Sequence, residues 1–172
     1  MNQVLECLKT RRSIRKYQNK PVEEALLDAI LEAGTYAPSG RGLQAPLIVA
    51  IKDEKTKATL TKMNAQVMGV SSDPYYNPPI ILLVLADPKV NTYVYDGSCV
   101  LENMMIAAHA LGLGTCWINR EKEMFDSAEG KALLKEWGID ESYVGIGALS
   151  LGYIDGDAPQ PKPRKADYII KI

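Results

Sequence analysis

The chain has one histidine, His109, among its 172 residues. That excludes any metal site built on two histidines. It also leaves a serine or cysteine nucleophile with a single imidazole for a base. His109 falls mid-helix in an apolar stretch, where a packing histidine is the simpler reading. The three cysteines, Cys7, Cys99 and Cys116, are odd in number, far apart and form no CxxC pair. That pattern argues against a disulfide framework or zinc knuckle, and a reducing compartment suits it better. No apolar run approaches the roughly eighteen residues of a membrane span. Lys9, Arg11, Arg12 and Arg15 stand where a secretory signal would need an apolar core. The expected location is cytoplasmic. Charge of one sign is lacking too: 20 basic against 21 acidic residues give a net charge of -1. No global electrostatic case remains for nucleic acid or an anionic membrane as partner.

Hydrophobic residues make up 47% of the chain, which excludes disorder and supports one well-buried core. Residues 1–172 are expected to form one domain. Residues 2–10 have helical spacing, with Val4, Leu5 and Leu8 on one face. A second helix is predicted over 21–33, opened by Pro21, Glu23 and Glu24 and stopped by Gly34. Residues 35–45 form a loop, and 46–51 a strand. Residues 53–69 suit a helix, with Leu60, Met63 and Val67 in register. The continuous apolar run 80–86 reads as a strand covered on both faces. Asp96 is placed to cap a helix running to Leu111, whose inward residues include Val100, Met104 and Leu111. Strands follow over 115–118 and 143–152, separated by a helix near 128–137. Gly145 and Gly147 alternate in the last of these strands, leaving room for a close neighbour. Pro159, Pro161 and Pro163 keep the tail extended, and 167–172 could form an edge strand. Without strict alternation of strand and helix, the fold class is α+β rather than doubly wound α/β.

Motifs for familiar chemistry fail on context. Gly112-Leu-Gly114 begins a GxGxxG pattern, but Trp117 occupies the third glycine position and the motif ends a helix. Gly130-Lys131 lacks the upstream glycine of a P-loop. No acid, base or nucleophile stands out, so a cofactor would have to carry any chemistry. Tyr75 and Tyr76 read as loop packing, with lining of a substrate face as the other reading. The balanced total charge conceals two basic ends. Residues 1–20 carry six cations against Glu6, and residues 161–172 carry Lys162, Arg164, Lys165 and Lys171 against Asp167. Two solvated ends are one reading. The other is convergence on one anion, for which the forks of Arg11, Arg12 and Arg15 and the hydroxyl of Ser13 are suited donors.

RRSIRKY near the start, APSGRGLQAP at 37–46, ALGLGTCWIN at 110–119 and KPRK at 162–165 occur in an order that resembles the nitroreductase family. The likeness spans nearly the whole chain. It implies an FMN-dependent oxidoreductase that uses NADH or NADPH. It also implies a central, mostly antiparallel sheet flanked by helices and an intertwined homodimer with exchanged C-terminal strands and flavins at the interface. Carried onto this sequence, Arg11, Arg12 and Ser13 would hold the FMN phosphate or ribityl end, and Lys162 and Arg164 would return to that phosphate. Arg15 would reach the ring near N1 and O2. Ser39 and Gly40 would approach from the neighbouring subunit. Asn64 would hydrogen-bond the pyrimidine edge. Backbone groups of Trp117, Ile118 and Asn119 would lie beside the ring near O4 and N5. Gly42 stands where an asparagine is common, and Val67 where some members carry a basic residue.

Reduction of a flavin gathers negative charge near N1 and C2=O, so a fixed guanidinium there favours the reduced form. Nicotinamide and acceptor would share one exposed ring face and alternate in a ping-pong cycle. Flat, electron-poor acceptors such as nitroaromatics and quinones fit this arrangement, and no catalytic side chain is required. Two alternatives stay open at this point. One is a flavin- or small-ligand-binding protein without turnover; the other is a family relative performing reductive dehalogenation or flavin breakdown.

Overall fold

The computed structural model describes residues 2–172. Four strands, β1 (Pro46–Ile51), β2 (Ile80–Ala86), β3 (Leu113–Ile118) and β4 (Val144–Tyr153), form one antiparallel sheet in the order β1-β2-β4-β3. Helices cover both faces. β2 shows why: all seven of its residues are buried. Alternate side chains point to opposite faces of a strand. Ile80, Leu82 and Val84 therefore enter one core and Ile81, Leu83 and Leu85 the other. The first core lies under α2 (Glu24–Thr35) and α4 (Tyr93–Ala110), which contribute Leu27, Ile30, Leu101 and Met104. The second lies under α3 (Glu54–Met68), α5 (Glu121–Asp126) and α6 (Ala128–Glu136), and holds Leu60, Met63, Met124, Phe125 and Leu134. Each such side chain, fully buried, contributes about 1.5–3 kcal/mol relative to exposure. No helix among the described residues is long and apolar enough to cross a membrane.

The α+β reading and the strands at 46–51 and 80–86 agree with the structure. Several local expectations do not. Gly34 does not stop α2; it is buried inside it, where a Cβ would stand 2.8 Å from Ile48 Cδ1 and 2.9 Å from Met104 Cγ. Asp96 is not the cap of α4. The helix begins one turn earlier, with Thr92 at the N-cap, and Asp96 accepts hydrogen bonds from Gly40 N and Thr92 Oγ1, both at 3.0 Å. Val67 and Leu111 are exposed, not inward. α5 was not anticipated. Residues 167–172 form no strand within the chain: a turn at 166–167, closed by Tyr168 N donating to Lys165 O at 3.3 Å, interrupts an exposed tail. α1 (Gln3–Thr10) forms as expected, yet its apolar face of Val4, Leu5 and Leu8 lies open.

Candidate functional site

The two basic ends meet because the N-terminal segment is laid along the sheet. Ile14 N donates to Thr115 O at 2.8 Å, and Ser13 pairs in parallel with Thr115 at the outer edge of β3. Gly114 makes this contact possible, since a Cβ there would stand 2.8 Å from Ile14 Cβ. Tyr17 then bridges Ile154 just past β4, Asp155 N donates to Lys16 O at 3.1 Å, and Lys16 pairs with Asp155 at 2.7 Å. The C-terminal tail therefore leaves the sheet beside residues 13–17. Its prolines carry it back across them. The result is a cleft of about 470 Å³ lined by Arg12, Ser13, Arg15, Lys162 and Arg164, among others.

The charges in this cleft are uncompensated. Lys16 and Lys165 have carboxylate partners, but Arg11, Arg12, Arg15, Lys162 and Arg164 form no ion pair among the described residues. Arg12 Nη1 donates to Lys9 O and Arg11 O at 2.8 and 2.7 Å, which fixes its fork. Arg11 is half-buried beside the cleft, and its Nη1 is buried without any acceptor. Leaving a charged donor unsatisfied costs more than the 1–3 kcal/mol typical of a neutral group. A dianionic phosphate monoester supplies the missing acceptors. The donor set thus fits the phosphate end of a nucleotide such as FMN.

Further along β3 the lining changes. The Arg15 guanidinium carbon lies 5.8 Å from the centroid of the Tyr76 ring. Cys116 is buried behind it, its thiol pushed upward in pKa by burial and partly offset by Arg15 and Arg11. Tyr17, whose hydroxyl donates to Ile14 O at 2.6 Å, is likewise raised by burial. Tyr75 and Tyr76 divide the two readings made of them. Tyr75 is fully buried, whereas Tyr76 is 39% exposed, at a left-handed φ of 65°, over Arg15. Trp117 packs against the first core with its Nε1 unpartnered. Gly147 admits that indole, and Gly145 admits the Glu121 backbone, so both glycines serve the close approach their alternation suggested.

Asn64 differs from its expected place. It is 0% exposed, and its amide is spent inside the protein. Nδ2 donates to Asn119 O at 2.9 Å, and Oδ1 accepts from Arg120 Nε at 2.8 Å. Its neighbours are the Tyr75 hydroxyl and Glu121 Oε1, each 3.4 Å from Nδ2. Asn64 therefore holds the turn at residues 119–120 and presents no free amide to an open cleft. Ile118 is buried at the end of β3, while Asn119 is exposed just beyond it.

Glu121 and Arg120 were not singled out from sequence. Glu121 is fully buried, its Oε2 lacks a partner, and burial pushes its pKa up to about 8. Nothing in the string INREKEM marks this glutamate as different from Glu123, which is exposed. Ser39 and Gly40 lie elsewhere in the chain. Ser39 Oγ accepts from Gln44 N at 3.2 Å, and Gly40 N is held by Asp96 at the start of α4. Within one chain they do not join the cationic cleft. His109 meets Thr10 Oγ1 at 2.9 Å between α1 and α4, a packing contact. Burial, and then Arg11 and Arg12, lower its pKa.

The fold and the cleft define an α+β protein with a cationic cleft beside one sheet edge, of a kind that suits a phosphate-bearing ligand. Comparison with known proteins narrows the class. The model for the nitroreductase family matches residues 8–82 and 94–153. A relative from Archaeoglobus fulgidus is 35% identical over 159 residues, covering 86% of this chain and 85% of its own. Its name, NADH dehydrogenase/NAD(P)H nitroreductase, is provisional. A crystal structure of a nitroreductase with bound FMN from Bacteroides fragilis superposes with a TM-score of 0.90, at 33% identity, over 100% of both chains. An FMN-dependent nitroreductase from Clostridium difficile gives a TM-score of 0.79 at 30% identity over 95% of each chain. The chain belongs to the nitroreductase family.

Proposed function

We propose that the protein is an FMN-dependent oxidoreductase that passes electrons from NADH or NADPH to nitroaromatic, quinone or similar electron-poor small molecules in a ping-pong cycle. The observation that carries this reading is the convergence of unpaired cations from both ends of the chain on one cleft of about 470 Å³. Arg11, Arg12, Ser13, Lys162 and Arg164 would hold the phosphate and ribityl end. Arg15, with the Trp117–Asn119 backbone, would border the ring. Bound FMN would supply two-electron chemistry, which the side chains themselves lack. Their work is to bind, to orient, and to place positive charge where reduction gathers negative charge.

The working unit in this proposal is a homodimer. β1 has no second neighbour in the sheet, while the outer edge of β3 is covered by Ser13 and Ile14. The exposed tail ends in Tyr168, Ile169, Ile170 and Ile172, an apolar strand-like sequence with no surface of its own to pack on. We assign it to the sheet of a second copy, which would also bring Ser39 and Gly40 to the neighbour's flavin. The reading predicts a yellow protein after FMN addition, bleached by NADH or NADPH without oxygen and restored by a quinone. A protein that stays colourless with excess FMN overturns it.

A further inference from the structure

Glu121 is a fully buried carboxyl for which the oxidoreductase reading has no use. It is the first residue of α5, directly after the turn at 119–120. Its Oε1 accepts from the Tyr75 hydroxyl at 3.0 Å and lies 3.4 Å from Asn64 Nδ2, while its Oε2 is buried with no partner. No cation pairs with it among the described residues. Arg120, its neighbour in the chain, gives its Nε to Asn64 Oδ1 at 2.8 Å instead. As a neutral acid the side chain is tolerated in such a place; as a carboxylate it is an uncompensated buried charge.

A small shift cannot bring this carboxyl to water. Gly145 of β4 lies directly under its backbone, where a Cβ would stand 2.3 Å from Glu121 O. Met124 and Phe125, one turn further on, fill the second core. Asn64 Nδ2 holds Asn119 O at 2.9 Å on the other side. Glu121 therefore reaches solvent only when residues 119–126 leave their seat together. Four elements face it: Tyr75 from the loop before β2, Asn64 from α3, Arg120 and Glu123 from its own segment, and the uncharged Gly145 from β4. Burial disfavours the charged form most, and Glu123 adds to it. The Glu121 backbone N–H, Tyr75 and Arg120 act the other way and are outweighed. The same turn continues β3, whose Thr115 pairs with Ser13 in the wall of the cationic cleft.

We propose that Glu121 is a proton-controlled latch: while it keeps its proton, residues 119–126 stay seated on β4, and loss of that proton to water releases the segment and loosens the bound flavin. The flavin half of this statement rests on the FMN reading above; the latch does not. The seated carboxyl ionises near pH 8, and the released one near its ordinary 4.5. Between those values the released form holds fewer protons, so it gains as pH rises, and the gain levels off above about 8. FMN bordered by the Trp117–Asn119 backbone would select the seated form, and by reciprocity would hold the proton in place.

The test has two readouts. Amide hydrogen exchange, converted to protection factors, follows residues 119–126 from pH 5.5 to 7.5. Wild-type protection there should fall by roughly tenfold per pH unit and stay below that of β2. Glu121→Gln has no proton to lose and should give a flat profile. Equal protection in 119–126 and β2 would mean that only global unfolding exposes Glu121, and it overturns the latch, as does a wild-type profile matching that of Glu121→Gln. If circular dichroism shows Glu121→Gln misfolded, Tyr75→Phe serves: it removes a group that favours ionisation, so the fall in protection should continue to higher pH, and an unmoved profile overturns the latch. The second readout is the FMN dissociation constant at pH 6 and pH 8. The FMN phosphate itself titrates near pH 6 and acts on both proteins alike. Wild-type affinity should therefore drop at least fivefold more than that of Glu121→Gln. Parallel changes overturn the coupling to flavin. Wild-type protein that binds no FMN at either pH overturns the FMN reading and leaves the exchange result to decide the latch.

Discussion

Tyr75 donates its phenolic hydrogen to Glu121 Oε1 at 3.0 Å, and neither side chain reaches solvent. Burial dominates Glu121, outweighing the opposing effects of Tyr75 and Arg120, and holds its pKa at about 8. The carboxyl is therefore mostly protonated at neutral pH. In the unfolded chain it ionises near 4.5. Between those values the folded state binds more protons than the unfolded one, so stability falls as pH rises and levels off above about 8. Glu121→Gln has no proton to lose. Urea unfolding at pH 5, 6, 7 and 8 should show the variant gaining on the wild type as pH rises. The total gain should be on the order of 3–5 kcal/mol. A constant difference across that range would mean that Glu121 is ionised in the folded protein.

Gly114 lies under Ile14, and this contact seats the arginine segment on β3. Gly114→Ala puts a methyl group where Ile14 Cβ, Cγ1 and Cγ2 lie, at 2.8–2.9 Å. Overpacking of this kind typically costs about 1–3 kcal/mol. Since Ser13 and Arg15 flank Ile14, FMN affinity should fall along with stability. Differential scanning calorimetry and FMN fluorescence quenching read the two effects. A variant of native stability and affinity would show that the segment is not seated through this contact.

Ile169 and Ile170 are 74% and 82% exposed in the single chain. If the tail completes a partner's sheet, Ile169→Asp with Ile170→Asp places two charges inside an interface and should yield monomers by light scattering. These monomers should also bind FMN at least tenfold more weakly, because the partner's Ser39 and Gly40 are lost. A doubly substituted dimer of unchanged FMN affinity would place the interface elsewhere.

Much of the fold was legible in the sequence because it is written in apolar runs. β2 is seven buried residues in a row, and no polar residue blurs its ends. The cationic cleft was legible where it depends on local charge: Arg12, Ser13 and Arg15 from one end and Lys162 and Arg164 from the other line it. What escaped was set by tertiary contacts. Asp96 looks like a helix cap because it is acidic near a helix start, yet its carboxylate serves Gly40 and Thr92. α5 is a six-residue helix with no repeating apolar spacing, and it forms because Met124 and Phe125 fill the second core. Glu121 and Asn64 are polar residues on which burial leaves no mark in sequence. Their neighbours come from segments 11 to 57 residues away. The edge strand read over 167–172 depends on a pairing partner, and within the single chain those residues pair with no strand.

The most direct measurement compares FMN with riboflavin, which has the same ring and no phosphate. Dissociation constants for both should be measured with the wild type, Arg11→Gln and Arg164→Gln. Each charge-assisted hydrogen bond is worth about 1.5–3 kcal/mol, or roughly tenfold and upward in affinity. The account predicts that wild-type protein binds FMN at least a hundredfold more tightly than riboflavin, and that each substitution erodes FMN binding while leaving riboflavin binding nearly unchanged. Equal affinity for the two flavins, or FMN binding indifferent to both arginines, would contradict it.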